Sequence, residues 1–458
     1  MNTIRSASPL AEASFLQGYA DKIRATSKID LDLYAKYNVK RGLRNADGTG
    51  VLVGLTRIGN VHGYMISDNE KISVPGQLFY RGINVNELVH GVQKEKRFGF
   101  EECAYLLLFG ELPNAQDLQK WNDLLGYYRR LPEGFKESAI IRAPGKDLMN
   151  SIARAVLMAY TYDGEPDKLD IENNLRQSIE LIAQFPTIAA YAYQAKAHYH
   201  LGHSLMMRHP EPGKSTAENL LMLIREDGVY TQLEAELLDL CLILHAEHGG
   251  GNNSAFTTHV VTSSFTDAYA AIAAATLSLK GPRHGGANLR VINQMQQLKE
   301  QVENWSDESA VAEYLMKILD KKAGDGTGLI YGLGHAVYTL SDPRTDMLRQ
   351  KARELATLKG RNEEMALYEM IERIGPGLFN QNRSKPRDLC ANVDFYSGFV
   401  YDMLNIPIDL YTPLFAISRV VGWCAHRIEE LLNSGPIIRP AYKAIFEQRP
   451  YKPLDERK

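Results

Sequence analysis

The sequence has few of the features that mark exported, membrane-spanning or nucleic-acid-binding proteins. No run of 18 or more apolar residues is present, and the N-terminus lacks the apolar region of a secretory signal. With 52 Lys and Arg against 55 Asp and Glu in 458 residues, the net charge of −3 predicts no attraction to nucleic acid or to an anionic membrane. Any anion site must therefore be built locally.

Cysteine is also scarce, and its spacing excludes two kinds of framework. The four cysteines form no CxxC pair, so neither a disulfide scaffold nor a thiolate zinc site is indicated. These residues are Cys103, Cys241, Cys390 and Cys424. Hydrophobic residues make up 45% of the chain and charged residues 23%, which is typical of globular proteins. We expect a cytoplasmic protein with reduced thiols.

Apolar residues recur mainly at intervals of three and four, which predicts an all-α protein. The segment FEECAYLLLFGELP (100–113) is typical of a helix that ends near Gly110. Pro186 has the place of a first-turn proline ahead of another helix. Alternating patterns occur at VLVGLT (51–56) and around Tyr64 to Arg81, which predicts a minor N-terminal β element.

Two pairs of residues have the spacing of helix N-terminal capping boxes. Ser215 precedes Glu218 by three residues, and Thr231 precedes Glu234 by the same interval. In a capping box the hydroxyl and the carboxylate each accept a backbone N–H at the helix start. We therefore predict helices beginning just after Ser215 and Thr231.

Three histidines lie beside glycine: His248 in HAEHGGGN, His284 in GPRHGGAN and His335 in GLGH. Glycine lets the backbone approach a ligand closely, although any one such histidine is typical of a helix end or a core position. A metal-dependent hydrolase is one alternative, since His245 and His248 share a helical face near Glu247. The spacing is not that of HExxH, and we predict no metal site.

One acid and three arginines complete the candidate residues. Asp394 in NVDFYSGFVYDMLNIP has the place of an N-cap or first-turn residue. Arg419 lies among apolar residues of a long helical segment, so it must form an ion pair or bind an anion. Arg344 in SDPR and Arg439 in IIRP could be surface ion pairs or further anion ligands.

Together these motifs resemble the citrate synthase family. The segments HAEHGGGNNSAFTTHVV, GPRHGGAN, GLGHAVYTLSDPR, NVDFYSGFVYDMLNIPIDLYTPLFAISRVVGW and RPAY follow one another in the family's order and approximate spacing. LFYRGINVNELV and GFEECAYLLLFGELP resemble the family's opening signature. The resemblance covers roughly residues 50–445, and five ordered motifs make it highly specific.

The resemblance implies a reaction and roles for the matched residues. The reaction is that of a citrate (Si)-synthase, in which acetyl-CoA, oxaloacetate and water give citrate and coenzyme A. Asp394 matches the general base, His284 the residue that stabilises the thioester enolate, and His335 the residue that polarises the ketone. The matched substrate-binding residues are His248, Arg344, Arg419, Arg439 and Asn252. A 2-methylcitrate synthase using propionyl-CoA is the nearest alternative, since one methylene changes binding by only about 1–3 kcal/mol.

The resemblance also implies the architecture. A large helical domain (1–285 and 406–458) would carry a smaller helical domain (286–405) that closes over the cleft. The coenzyme A pocket would lie near Leu329 to Tyr338, with no tightly bound cofactor. In the family the last arginine reaches the neighbouring subunit, so Arg439 implies a homodimer.

Two departures from the family pattern concern the coenzyme and the catalytic histidine. The stretch YTLS (338–341) lacks the basic residue that often contacts coenzyme A phosphates. Arg283 replaces a small or apolar residue before His284, and Leu289 stands where Glu is frequent. Neither departure removes a catalytic group.

Overall fold

The computed structural model describes residues 9–67, 70–381, 383, 386–433 and 435–457, and these are mainly α-helical. This confirms the predicted all-α class with a minor β element. The chain divides into two compact units. Residues 1–54 with 439–458 form the arm-and-tail unit, and residues 55–438 form the main unit.

The arm-and-tail unit contains two helices, α1 (Pro9–Ser27) and α2 (Asp32–Lys36). The ammonium of Lys443 lies 5.7 Å from the centre of the Tyr37 ring, so the N-terminal and C-terminal segments of this unit contact each other. Its described side chains are mostly exposed. No side chain whose burial is described in this unit is fully buried.

A small antiparallel sheet begins the main unit. Its strands are β1 (Gly59–Ser67), β2 (Glu70–Tyr80) and β3 (Ile83–Asn84), in the order β1-β2-β3, with Gly59 opposite Tyr80. The strands predicted around Tyr64 to Arg81 are thereby confirmed. The strand predicted at 51–56 is wrong, because this segment has no partner strand among the described residues and leaves Leu52 and Leu55 exposed.

The rest of the main unit is a packed set of helices whose bounds follow. The described helices are α3 (Val85–Lys94), α4 (Phe100–Phe109), α5 (Ala115–Tyr128), α6 (Leu148–Ala159), α7 (Ile171–Leu201), α8 (Thr216–Ile224), α9 (Gln232–His245), α10 (Asn253–Thr262), α11 (Ala268–Lys280), α12 (Ala287–Gln301), α13 (Glu308–Leu319), α14 (Pro343–Leu358), α15 (Asn362–Asn380), α16 (Val393–Met403) and α17 (Tyr411–Leu432). No helix within these ranges is long and apolar enough to cross a membrane.

The helix ends follow local chemistry. Both predicted capping boxes are present, at the starts of α8 and α9, with hydroxyl and carboxylate each accepting a backbone N–H. Helix α4 ends as predicted at Gly110, whose φ of 87° is the left-handed conformation that glycine adopts most readily.

The prediction for Pro186 is wrong, because it lies in the middle of the 31-residue α7 and not at a helix start. A proline inside a helix costs about 3 kcal/mol through its missing N–H and its ring. The helix continues because both flanking turns are buried, from Leu181 through Ala192. Core packing therefore overrides the local preference.

Helix α17 is the centre of the core, and every residue from Tyr411 to Arg427 is buried. It packs against α4, α7, α9, α10 and α11. The helices near the C-terminal half form a second group: α16 packs against α12 and α14, and α15 against α13 and α14. Where this group meets α9 and α17, the predicted site residues lie.

Candidate active site

Two of the predicted histidines contact each other although 87 positions separate them in the sequence. The ring centres of His248 and His335 lie 5.1 Å apart, with the rings nearly perpendicular. Tyr338 stacks on His335 with a 4.7 Å centroid distance. His248 follows α9 and His335 lies in the loop before α14, so this contact joins the two groups of helices.

The backbone fixes the tautomer of His335. Its Nδ1 accepts the N–H groups of Val337 and Tyr338, both at 3.0 Å. A nitrogen that accepts two N–H groups carries no proton, so the neutral ring is protonated at Nε2. Nε2–H is therefore a donor suited to a carbonyl or alkoxide oxygen.

His248 is also held neutral. Burial, reinforced by the positive charge of Arg344, holds its pKa well below the ordinary value. Its buried Nε2 has no hydrogen-bond partner among the described residues. A buried polar nitrogen without a partner is costly unless a ligand supplies one.

Arg419 is the clearest anion ligand in the structure. It is fully buried in the middle of α17, and its Nε donates to the His245 carbonyl at 2.7 Å. Its two terminal nitrogens, Nη1 and Nη2, have no partner within the described chain. Burial lowers the pKa of Arg419 to about 10, which leaves the guanidinium charged at neutral pH. Two parallel N–H donors of this kind match the two oxygens of a carboxylate.

Arg344 differs from Arg419 because a protein carboxylate already engages it. Its Nε and Nη2 donate to Asp342 at 3.0 and 2.7 Å, and both side chains are almost completely buried. Burial disfavours the cation, but Asp342 offsets this and raises the pKa of Arg344. Asp342 also caps α14 through the Arg344 N–H. This partner fixes the direction of the guanidinium.

Asp394 lies in the first turn of α16, as the sequence predicted. Asn392 is the N-cap and accepts the Asp394 N–H at 3.0 Å. Burial raises the pKa of Asp394 to about 6, against the lowering effect of Arg344. Its Oδ1 has no hydrogen-bond partner in the described chain. A carboxyl group with this pKa is suited to general base catalysis near neutral pH.

His284 is held by a hydrogen-bond network around Ser254. Its Nε2 lies 3.0 Å from Ser254 Oγ, which also accepts the indole N–H of Trp423 at 3.0 Å. Ser254 Oγ lies 2.9 Å from the Asn252 side chain. Burial lowers the pKa of His284 to about 4, so the imidazole is neutral at pH 7.

Two proton arrangements fit these contacts: in one, Ser254 donates to Asn252 Oδ1 and His284 Nε2–H donates to Ser254, and in the other Ser254 donates to His284 Nε2. Ser254 has one proton, and donating it to His284 Nε2 leaves the ring proton on Nδ1. In that state the side-chain NH₂ of Asn252 donates to Ser254 Oγ. This requires the Asn252 amide to be rotated so that its nitrogen and oxygen exchange places. His284 Nδ1–H would then be the hydrogen-bond donor toward a ligand.

The predicted residues of the main unit are thus largely brought together. Charge interactions link Asp394 with Arg344 and Arg419, and His284 with Arg419. Arg439 belongs to the arm-and-tail unit, where it is exposed. Sequence reasoning missed Ser254, Trp423 and Asp342. Only Asp342 left a signal, since it stands before Pro343 at the start of a helix.

The loop at 329–338, predicted to form a coenzyme pocket, is anchored to α12. Gln294 donates to the Leu329 carbonyl at 2.9 Å and accepts the Tyr331 N–H at 3.0 Å. Arg290 donates to the Tyr331 hydroxyl at 2.6 Å and retains partial exposure. The loop therefore has a fixed backbone, and beside it lies the partly exposed cation Arg290, which is also 3.9 Å from the Asp325 carboxylate.

The metal centre considered for a hydrolase does not assemble at His245. That residue is buried, its Nδ1 bonds the Cys241 carbonyl at 2.8 Å, and its ring packs on Phe415. Among the described residues, the group of His, Cys, Asp and Glu able to hold a metal contains neither His245 nor His248.

Comparison with known proteins finds a matching family model and relatives named as citrate synthases or 2-methylcitrate synthases. The family model "Citrate synthase, C-terminal domain" matches residues 46–441. The citrate synthase of Haloferax volcanii is 32% identical over 92% of this chain and 99% of its own length. The 2-methylcitrate synthase 2 of Corynebacterium glutamicum is 34% identical over 83% of this chain and 92% of its own length.

Solved structures agree with these relatives. The citrate synthase of Pyrobaculum aerophilum has a TM-score of 0.72 and 30% identity, covering 89% of this chain and 94% of that one. A ternary complex of the Thermoplasma acidophilum citrate synthase with carboxymethyl coenzyme A and oxaloacetate has a TM-score of 0.74 and 25% identity. It covers 92% of this chain and 99% of that one.

Proposed function

The chain belongs to the citrate synthase family of acyltransferases, and from this membership we propose that it is a citrate (Si)-synthase. It would condense acetyl-CoA with oxaloacetate and water to give citrate and coenzyme A. The observation that carries this proposal is the buried Arg419, whose terminal nitrogens lack partners among the described residues and lie beside neutral histidines and Asp394. The oxaloacetate in the Thermoplasma relative supports the choice of substrate.

The first step would be removal of a proton from the acetyl methyl group by Asp394. Its pKa of about 6 leaves most of the carboxyl groups ionised at pH 7, while burial keeps the base strong. The methyl is a weak carbon acid, so the thioester oxygen must be stabilised at the same moment. His284 Nδ1–H, with Nε2 held by Ser254, would donate that hydrogen bond.

The second step would join the nucleophilic carbon to the ketone carbon of oxaloacetate. His335 Nε2–H, fixed by the two backbone N–H groups on Nδ1, would polarise the ketone oxygen and transfer its proton to the alkoxide. His248 would contact oxaloacetate beside it. Water then attacks the thioester carbonyl of the citryl intermediate and the C–S bond breaks. One water proton passes to the coenzyme A thiolate, and the proton that Asp394 took from the methyl group returns to His335 Nε2, which restores both residues.

The arginines would bind the carboxylates, of which oxaloacetate has two and citrate three. Arg419 offers both terminal nitrogens, whereas Arg344 offers the edge that Asp342 does not occupy. We propose that Arg439 is supplied by the neighbouring subunit of a homodimer. Asn252 would act indirectly, through Ser254, and orient His284.

The architecture proposed with this function has one large domain, formed by 1–285 and 406–458, and a smaller domain, 286–405, that closes over the active-site cleft. Closure would bring Asp394 onto the acyl group and exclude water. The coenzyme A pocket would lie at 329–338, where Arg290 is the accessible cation that could replace the one missing from YTLS. We expect no tightly bound cofactor, and the four free thiols support a cytoplasmic location.

A 2-methylcitrate synthase is the second candidate, because relatives with that name are as similar as the citrate synthases. The experiment that separates them compares kcat/KM for acetyl-CoA and propionyl-CoA with oxaloacetate, together with identification of the product. We expect acetyl-CoA to be preferred. A clear preference for propionyl-CoA would overturn the choice, and thiol release that needed no oxaloacetate and that chelator abolished would revive the hydrolase alternative.

A further inference from the structure

A cluster of ligand-type side chains lies beside the proposed active site and is used by none of its steps. It consists of His259 on α10 with His426 and Glu429 on α17, and we call it the His–His–Glu cluster. Their nitrogen and oxygen ligand atoms all lie within 4.8 Å of one another. His426 is completely buried, and the side chains of His259 and Glu429 are only 13% and 12% exposed.

The two histidines present their inner nitrogens to each other. His259 Nε2 and His426 Nδ1 are 3.1 Å apart. Each outer nitrogen is paired with a carboxylate, His259 Nδ1 with Glu430 at 2.7 Å and His426 Nε2 with Glu247 at 3.0 Å. A carboxylate on the outer nitrogen holds the proton there and directs the lone pair of the inner nitrogen outward, as in metal-bound histidines. In the metal-free cluster a proton on His426, whose pKa Glu247 and Glu429 raise to about 9 against the effect of burial, lies between these nitrogens, and a bound metal cation would displace it.

Glu429 provides a third ligand atom. Its Oε1 accepts the Arg57 N–H at 2.7 Å, whereas its buried Oε2 has no hydrogen-bond partner among the described residues. That oxygen lies 3.8 Å from His426 Nδ1. On the side facing Gly250 there is room for one further atom, because a Cβ built there would be at ordinary contact distance, 3.4 Å from His426 Cε1 and 3.5 Å from His259 Nε2.

From this geometry we propose that the His–His–Glu cluster binds one Zn²⁺ per chain. Two imidazole nitrogens and one carboxylate oxygen are ligands that zinc accepts, with a water in the fourth position. Bonds of about 2.0–2.1 Å in a tetrahedral site place neighbouring ligand atoms about 3.3 Å apart, close to the observed nitrogen separation. The ion would link α10 to α17 and, through Glu247, fix the segment that carries His248.

The test is a metal titration of the full chain after treatment with chelator and desalting. Co²⁺ is added first as a spectroscopic probe, and Zn²⁺ is then used to displace it. We expect one ion per chain, with the strong visible absorption of four-coordinate Co²⁺, and a higher melting temperature with Zn²⁺. His259→Ala and Glu429→Gln should weaken binding at least 10-fold.

His90→Ala, an exposed histidine on α3, is the matched control and should bind as the parent does. Glu429→Gln keeps the acceptor for the Arg57 N–H, so it tests ligation with the local hydrogen bond intact. Circular dichroism verifies that each variant is folded. Absence of binding, or equal affinity in the parent and Glu429→Gln, would mean that the two rings share only a proton and would overturn the proposal.

Discussion

Replacing Arg419 by lysine should weaken oxaloacetate binding without unfolding the protein. Within the part of the chain that the structure describes, the guanidinium forms one hydrogen bond, through Nε, and its two terminal nitrogens have no partner. Lysine retains the charge but cannot form the paired contact with a carboxylate. Loss of one charge-assisted hydrogen bond costs about 1.5–3 kcal/mol, so the KM for oxaloacetate should rise about 10- to 150-fold.

The same helix provides a matched control two turns later. Arg427 is equally buried, but all three of its nitrogens bond the protein: Nε to Asn174 at 3.0 Å, Nη1 to Thr262 at 3.3 Å and Nη2 to Thr266 at 2.8 Å. Arg427→Lys should therefore lower the urea midpoint of unfolding and leave the KM for oxaloacetate unchanged. Arg419→Lys should raise the KM for oxaloacetate and leave the urea midpoint nearly unchanged.

The assay is steady-state release of coenzyme A thiol with oxaloacetate varied at saturating acetyl-CoA, alongside urea unfolding of each variant. An unchanged KM in Arg419→Lys would refute the assignment of its free nitrogens to substrate. An equal rise in KM for both variants would attribute the effect to general loss of packing in α17.

Three further predictions concern the base, its partner histidine and the loop that precedes it. Because Asp394 must be ionised and its pKa is about 6, kcat/KM should rise with pH through about 6 and level off above it; a profile flat from pH 5 to 8 would contradict this. Ser254→Ala should raise the activation free energy by about 1–3 kcal/mol and so lower kcat roughly 5- to 150-fold, because His284 loses the partner that would hold its Nε2. The KM for oxaloacetate should stay constant, and a change confined to KM would place the serine in binding. Gly332→Ala should lower the urea midpoint more than Gly360→Ala. Both glycines have positive φ, but of the two only Gly332 would place a Cβ 2.6 Å from an aromatic ring. Equal losses of stability in the two variants would disprove the clash.

Local chemistry explains which parts of the fold could be predicted from the sequence. The capping boxes at Ser215 and Thr231 and the end of α4 at Gly110 depend on residues within one helical turn, and all three were correct. Pro186 and the segment 51–56 were not, because a proline is tolerated only where core packing compensates, and a strand forms only where a partner exists.

The same difference between local and long-range contacts explains which site residues could be predicted. The three histidines beside glycine and Arg419 among apolar residues stand in distinctive settings, whereas the roles of Asp394, Arg344 and Arg439 were indicated only by the resemblance to the family. Ser254 could not be found, since its role depends on Trp423, which follows 169 positions later. The His–His–Glu cluster was missed for the same reason, because α10 and α17 meet only in the fold.

Thiol release by Asp394→Ala, compared with the unsubstituted chain, tests the proposed reaction most directly. The substitution removes the base from a carbon acid that water deprotonates very slowly, so we expect kcat to fall by several orders of magnitude while circular dichroism stays unchanged. Near-normal turnover of acetyl-CoA and oxaloacetate by the folded variant would contradict the assignment of Asp394 and the mechanism built on it.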